Sequence, residues 1–349
     1  MKSNFVKKLA LLIVVVTSQP VIGQDFHLSQ HDAAPLNLNP AMTGLFNGLY
    51  RIHGHYRTQW AQVATNPFQT FEVSYDMPLK NKISVGGQLM DYTAGSGNYN
   101  VFSFLASAAY DFSVDASDYH HFSFGLQAGI MQKSINFSKL VFGNQYSYSN
   151  GGGFDTNLPT GENFLSSGIL MPDLNAGFVY YYSRENYVVN PFAGIAVSHI
   201  NQPKENFYNE DDRLPIRYLF HGGCKVNINE KIQLEPKFYK MLQTNARELT
   251  FSLMLHYYIK QSDAYLIAGP TFRLSGLMGK KKIDYLGVED DAAVVEFGLK
   301  YKQYIWRISY DLNTSSLNPY TNGRGGLEIS LTYTGRKPKP EPVNNCPRL

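Results

Sequence analysis

The side chains of this sequence best suited to binding a metal or moving a proton are histidines, and His53 and His55 stand only one residue apart. Alternate residues of a β-strand share a face, so this pair would point the same way and could offer two zinc ligands. Two ligands without a third make a weak metal site, and a hydrogen-bonded polar network is the simpler use of the pair. For hydrolytic chemistry His120, His121, His199, His221 and His256 are candidate bases. None stands beside a nucleophile motif such as Gly-x-Ser-x-Gly. Gly151-Gly152-Gly153 lacks a following Lys-Ser or Lys-Thr and is not a phosphate loop. The runs Glu210-Asp211-Asp212 and Glu289-Asp290-Asp291 lack the spaced oxygen ligands of a calcium loop and read as solvated loop tips that could contact an exported protein. Cys224 and Cys346 are too few for a disulfide framework, and a single bridge between them stays open. These residues predict no enzyme, no cofactor and no metal.

The elements that carry them are unusual for a soluble protein. Charged residues make up 17% of the 349 positions and aromatics 14%, with 25 Tyr and 22 Phe; soluble domains average about a quarter charged. Basic residues are scattered and the net charge is only +3, which excludes the basic stripe that nucleic acid requires. Mean hydropathy is -0.26, and beyond residue 23 no apolar stretch reaches the roughly 20 residues of a membrane helix. Residues 1–23 read as an export signal. Lys2, Lys7 and Lys8 precede the apolar run Leu9 to Val16, with cleavage expected before Gln24.

A transmembrane β-strand needs about 9 to 11 residues with one apolar face. Leu249, Phe251, Leu253, Leu255, Tyr257 and Ile259 supply such a face, alternating with Thr250, Ser252 and His256. The alternation recurs in Phe122 to Ile130, Tyr304 to Leu312 and Leu327 to Tyr333. About fourteen such strands are predicted: near Leu49 to Trp60, Phe68 to Met77, Lys82 to Tyr92, Tyr99 to Phe112, Tyr119 to Lys133, Met171 to Tyr182 and Tyr187 to Asn201, then Leu214 to Ile228, Lys231 to Met241, Arg247 to Lys260, Asp263 to Arg273, Ala292 to Lys302, Tyr304 to Leu312 and Gly325 to Gly335. Their connections are expected to alternate strictly between tight turns and long loops. Pro78 to Asn81, Ser183 to Asn186, Asn229 to Glu230, Gln261 to Ser262 and Gln303 are short, whereas Ser134 to Leu170, Asn201 to Arg213, Leu274 to Asp291 and Asn313 to Arg324 are long. This sorting fits a barrel with periplasmic turns and extracellular loops.

The predicted organisation is therefore all-β: signal peptide 1–23, a periplasmic strap or plug over 24–47, an antiparallel outer-membrane β-barrel over 48–335, and a Pro-rich periplasmic tail over 336–349. Within the strap, Asn39, Pro40, Ala41 and Gly44 form a turn signal and are read as a structural lock. On the first strand Arg51, His53, His55, Arg57 and Gln59 face the lumen, with Arg57 expected to pair with Glu296 or Glu328. Tyr50, Ile52, Tyr56 and Trp60 face the lipid.

Phe26-x-x-Ser29-Gln30, Asn39-Pro40-Ala41 with Gly44, and Tyr56-Arg57-x-Gln59-Trp60 together resemble the PorP/SprF family of the type IX secretion system of Bacteroidota. The closing Gly325-Gly326-x-Glu328-Ile329-Ser330-Leu331 and Cys346-Pro347-Arg348 extend the likeness to the C-terminus. The resemblance implies a non-enzymatic outer-membrane barrel that helps secrete or anchor large cell-surface proteins, including cargo with a C-terminal sorting domain and adhesins of gliding species. It further implies outer-membrane lipid as surroundings, cargo at the outer loops, and a periplasmic secretion-machine or peptidoglycan-linked protein at strap and tail. The alternative is a passive channel, in which Arg51, Arg57, Lys300 and Arg307 would favour anions.

Overall fold

A computed structural model describes residues 25–61, 64, 66–148, 152–162, 166–184, 187–205, 207, 212–277 and 289–336. The export signal, Gly151, Glu210, Asp211 and the tail beyond 336 with Cys346, Pro347 and Arg348 lie outside them.

The strands are β1 (Arg51–Gln59), β2 (Phe68–Pro78), β3 (Ile83–Ala94), β4 (Tyr99–Ser113), β5 (His120–Ser134), β6 (Tyr146–Ser147), β7 (Gly153–Phe154) and β8 (Gly168–Tyr182). They continue as β9 (Val189–Ser198), β10 (Arg217–Asn227), β11 (Ile232–Gln243), β12 (Ala246–Ile259), β13 (Ala264–Leu277), β14 (Glu289–Tyr301), β15 (Tyr304–Asn313) and β16 (Arg324–Thr334). All but β6 and β7 form one closed antiparallel barrel of fourteen strands in chain order. The ring closes where β1 pairs with β16, from Arg51 opposite Thr334 to Gln59 opposite Gly326. Closure matters because an open edge in hydrocarbon would leave backbone N–H and C=O groups without partners.

The period-two pattern sorts by polarity in the inverse of a soluble protein. Leu126 is 69% exposed on the outside of β5 while its neighbour Gln127 is 4% exposed inside. Phe251, Leu253, Leu255 and Tyr257 are exposed on β12, and Ser252 and Thr250 are buried in the lumen. Leu249, placed with the lipid face by its parity, is instead buried. Lipid, not water, is the solvent for this apolar outer surface. Substituting Leu253 by Arg at mid-strand should therefore cost about 2–4 kcal/mol. Urea titration of the protein refolded into phospholipid vesicles checks this; unchanged stability would mean that Leu253 does not face hydrocarbon.

At one end of the barrel every connection is short: 79–82, 114–119, 183–188, 228–231, 260–263 and 302–303. The long ones, 60–67, 135–167, 199–216, 278–288 and 314–323, all join strand ends at the other end, which the usual asymmetry of such barrels assigns to the outside of the cell. The expected strict alternation is broken there by two tight turns, 95–98 and 244–245. Both use left-handed backbone conformations, with φ of 68° at Gly95, 47° at Asn98 and 51° at Thr244, which permit a hairpin without a long loop. The expected loop from Leu274 to Asp291 is also shorter than its sequence suggests. β13 and β14 keep pairing through Leu274 with Asp290 and Ser275 with Glu289 after a register shift. Glu289-Asp290-Asp291 thus begins a strand, and is not a loop tip.

Candidate functional site

The lumen is occupied. Residues 25–47 run through it from the outer end to the base of β1, and Leu28, Ser29, Gln30, Leu36, Asn39, Ala41 and Thr43 are all buried. Of the two sequence readings of this segment, a luminal plug is the one described here. At the base of β1 the segment surfaces, with Leu45 and Phe46 half-buried and Asn47 exposed.

At the outer end, the Asp25 amide donates to Gln243 Oε1 at 2.9 Å. Its carboxylate lies 2.8 Å from His199 Nε2 and 3.2 Å from Arg217 Nη1. His199 Nδ1 faces Asp173 at 2.8 Å. Burial alone would lower the His199 imidazole, but the Asp25 and Asp173 carboxylates outweigh it and raise the group from 6.5 to about 9. A folded value above the unfolded one means that this imidazolium bridge is fully formed below pH 6.5 and is lost as the pH rises through 9. The outer end of the plug should accordingly loosen as pH passes 9. Chymotryptic cleavage after Phe26, corrected for protease activity, should accelerate there, and His199→Gln should be cleaved fast at every pH. A wild-type rate that stays flat across this window would refute the bridge.

Deeper, the carboxylate of Glu328 on β16 accepts from two consecutive plug amides, Ser29 at 2.6 Å and Gln30 at 2.9 Å. Arg57 donates to the same carboxylate, and His55 Nε2 lies 3.1 Å from it. The Ser29 hydroxyl donates to Asp311 at 2.8 Å and accepts from Arg57 at 2.8 Å and from Arg273. Gln30 bonds Ser309 at 3.0 Å and accepts from Ser330 at 2.7 Å. One turn on, Asp32 is clamped by Arg307 at 2.8 Å and by Lys237. Buried charges are tolerated only when paired and hydrogen-bonded, and the plug supplies partners that the wall alone lacks.

The lower lock is built differently. A one-turn helix, Pro35–Leu38, and a 3-10 turn, Pro40–Met42, flank Asn39. Asn39 Oδ1 accepts from the Ala41 amide at 2.9 Å, capping the turn. Its Nδ2 faces the carbonyls of Phe178 at 3.1 Å and Ile195 at 3.2 Å and His221 Nε2 at 3.0 Å. The wall accepts this turn because glycines line it. A Cβ at Gly125 would lie 2.3 Å from the Ala41 nitrogen, and one at Gly177 would lie 1.9 Å from Asn39 Oδ1. At the base Gly44, with φ of 76°, donates its amide to Asp76 at 2.7 Å, and Arg51 holds the same carboxylate at 2.7 and 2.9 Å.

The structure places Asn39, Pro40, Ala41 and Gly44 in the lower lock, and Arg57 and Gln59 at the Glu328 staple nearer the outer end, where Gln59 Oε1 accepts from Arg57 at 3.0 Å. Tyr56 is separate, exposed on the lipid face. Trp60 sits at the outer rim, 4.9 Å from the Phe68 ring. Arg57 pairs with Glu328 as expected, whereas Glu296 pairs with Arg307. Sequence reasoning missed Arg273, Asp311 and the seat glycines, though each occupies an inward position of a strand, which is a readable signal. The histidines have structural partners: His53 Nδ1 lies 2.9 Å from Thr332, His256 lies 3.0 Å from Glu235, His120 lies 2.9 Å from the Tyr180 hydroxyl, and His121 lies 2.9 Å from the Asp118 carbonyl. Among the described residues no three His, Cys, Asp or Glu side chains are placed to hold a metal.

Comparison with curated protein sequences finds no match. Among solved structures, a deltaS2 mutant of the TodX monoaromatic hydrocarbon channel is similar at 11% identity and a TM-score of 0.50, covering 88% of this chain and 94% of that one. The TodX deltaS2S3 mutant is similar at 13% identity and 0.50, covering 87% and 94%. At such identities the likeness concerns the barrel fold alone. The family model described as type IX secretion system membrane protein PorP/SprF matches residues 21–333, nearly the whole chain. With a closed, lipid-faced barrel whose plug is pinned by the same Ser-Gln, Asn-Pro-Ala and Arg-x-Gln segments that carry the sequence resemblance, this chain belongs to the PorP/SprF family of type IX secretion system membrane proteins and resides in the outer membrane.

Proposed function

We propose that this barrel works without catalysis in the export or surface anchoring of large cell-surface proteins, with cargo engaged at the outer loops and the secretion machine engaged at the periplasmic end through the tail. The observation that carries the reading is the occupied lumen. A diffusion channel needs a continuous aqueous path, while here the plug crosses the lumen and its polar groups are tied to wall side chains on β1, β2, β10, β11, β13, β15 and β16 and to backbone carbonyls on β8 and β9. Of the four cations that an anion-selective channel would present, Arg51, Arg57 and Arg307 are each paired with a carboxylate, while Lys300 is exposed and lies over the Tyr265 ring at 5.6 Å.

Deletion of the gene should abolish surface display of the cargo while leaving other outer-membrane proteins in place, and removal of residues 337–349 should weaken co-purification of the periplasmic partner. Normal display in the deletion strain would overturn the proposal. In planar bilayers the wild-type protein should carry no steady current; a stable open pore would instead favour the channel reading.

A further inference from the structure

Above the plug, at the outer mouth, lies an open cavity of about 340 Å³. Four aromatic rings run along its wall: Trp60 lies 4.9 Å from Phe68, Phe68 stands edge-on to Tyr92 at 6.2 Å, and Tyr92 stacks on Phe26 of the plug at 5.8 Å. All four are half-buried, so their faces are neither in the lipid nor sealed in a core. Trp60 is held there with φ of 61°, a left-handed conformation that a bulky residue rarely adopts and that places it just beyond the last residue of β1. Such an outlier at a cavity mouth points to use of the side chain and away from simple packing.

The polar groups of the same cavity narrow the ligand. Its charges are already compensated: Asp25 by His199 and Arg217, Asp291 by Arg273, and Arg57 by Glu328 and Asp311. An ionic ligand would find no unpaired counter-charge. The neutral polar groups that line it are Thr70, Ser275 and Gln59, whose oxygen is used by Arg57 while its amide nitrogen has no protein partner among the described residues, and beside them lies the carboxylate edge of Asp291. Aromatic faces beside planar amide and carboxylate groups suit a ring that is apolar on its C–H face and hydroxylated at its edge. We propose that this outer vestibule binds a neutral saccharide, a pyranose stacking on Trp60 and Tyr92 with its hydroxyls hydrogen-bonded to Gln59 and Asp291. The saccharide could belong to the surface polysaccharide of the membrane's own lipids or to a glycan on an exported protein.

Trp60 is also the means of testing it. The chain has two tryptophans, and the other, Trp306, is on the lipid-facing side of β15. In a Trp306→Phe background the full-length protein in lipid nanodiscs reports on Trp60 alone. Titration with polysaccharide released from the producing organism's lipopolysaccharide, and separately with glycans released from its secreted proteins, should give a saturable change in Trp60 emission with at least one probe, and the responding probe identifies the source. Gln59→Ala should weaken it about tenfold, the worth of one hydrogen bond, and Tyr92→Leu should weaken it further. No response to either probe by protein whose barrel is folded overturns the proposal. So does a saturable response to an unglycosylated peptide from the secreted proteins where both saccharide probes give none, since that assigns the vestibule to polypeptide.

Discussion

Replacing Glu328 by Ala should detach the outer half of the plug and destabilise the folded barrel by about 3–5 kcal/mol, the cost of removing one partner from a buried ion pair. The size of the effect follows from how many groups share this carboxylate. The Ser29 and Gln30 amides, Arg57 and His55 all bond to it, and Glu328 itself is fully buried. Alanine would leave a guanidinium and two backbone donors in the lumen with less than their complement of acceptors. The temperature at which the folded band is lost on semi-native electrophoresis should fall, and chymotrypsin should gain access to Leu28 and Leu36, both buried in the wild type. Glu328→Gln should fall between, because it keeps an acceptor but loses the charge that offsets Arg57. If Glu328→Ala melts like the wild type with its plug still protected, the outer staple does not hold the plug.

The second large effect is expected at the lower lock. Gly177→Val should fold into the same barrel, since valine suits a strand, but should expel the Asn39 turn from its seat. The added Cβ would stand 1.9 Å from Asn39 Oδ1 and 2.9 Å from its Cγ, distances that no side-chain rotation of the valine relieves. Overpacking of this kind typically costs about 1–3 kcal/mol when both sides must stay; here the plug can lift instead. Discrete current steps should then appear in planar bilayers where the wild type carries none. Adding Asn39→Ala to Gly177→Val removes the clashing atoms and should reduce the current again. A closed Gly177→Val barrel would show that the Asn39 turn does not seal the lumen.

Much of this could be read before any coordinates. Strand positions followed from alternation because, in a membrane barrel, each outward residue meets lipid and each inward one meets polar groups, so Leu126 beside Gln127 is as clear a mark as a helical stripe. Inward strand positions narrowed the partner of Arg57 to Glu296 or Glu328, and the pairing of β1 with β16 that closes the ring selects Glu328. Loop lengths were less legible. The tight turns at 95–98 and 244–245 depend on a few left-handed residues, and alternation of long and short connections is a tendency of barrels and not a steric requirement.

The sequence by itself determined an outer-membrane barrel and its family, because those rest on local periodicity and on motif spacing, which the chain carries residue by residue. Whether Asn39, Pro40 and Ala41 formed a periplasmic strap or a luminal plug was decided only by the tertiary structure. The seat of the Asn39 turn is assembled from Gly125 and Gly177 on two strands, and the staple on Ser29 and Gln30 from Glu328, Asp311 and Arg273 on three others, and no spacing along the chain encodes that they converge. The outer-membrane barrel therefore stands as the sequence predicts it, while the plug that closes it is a property of the closed ring.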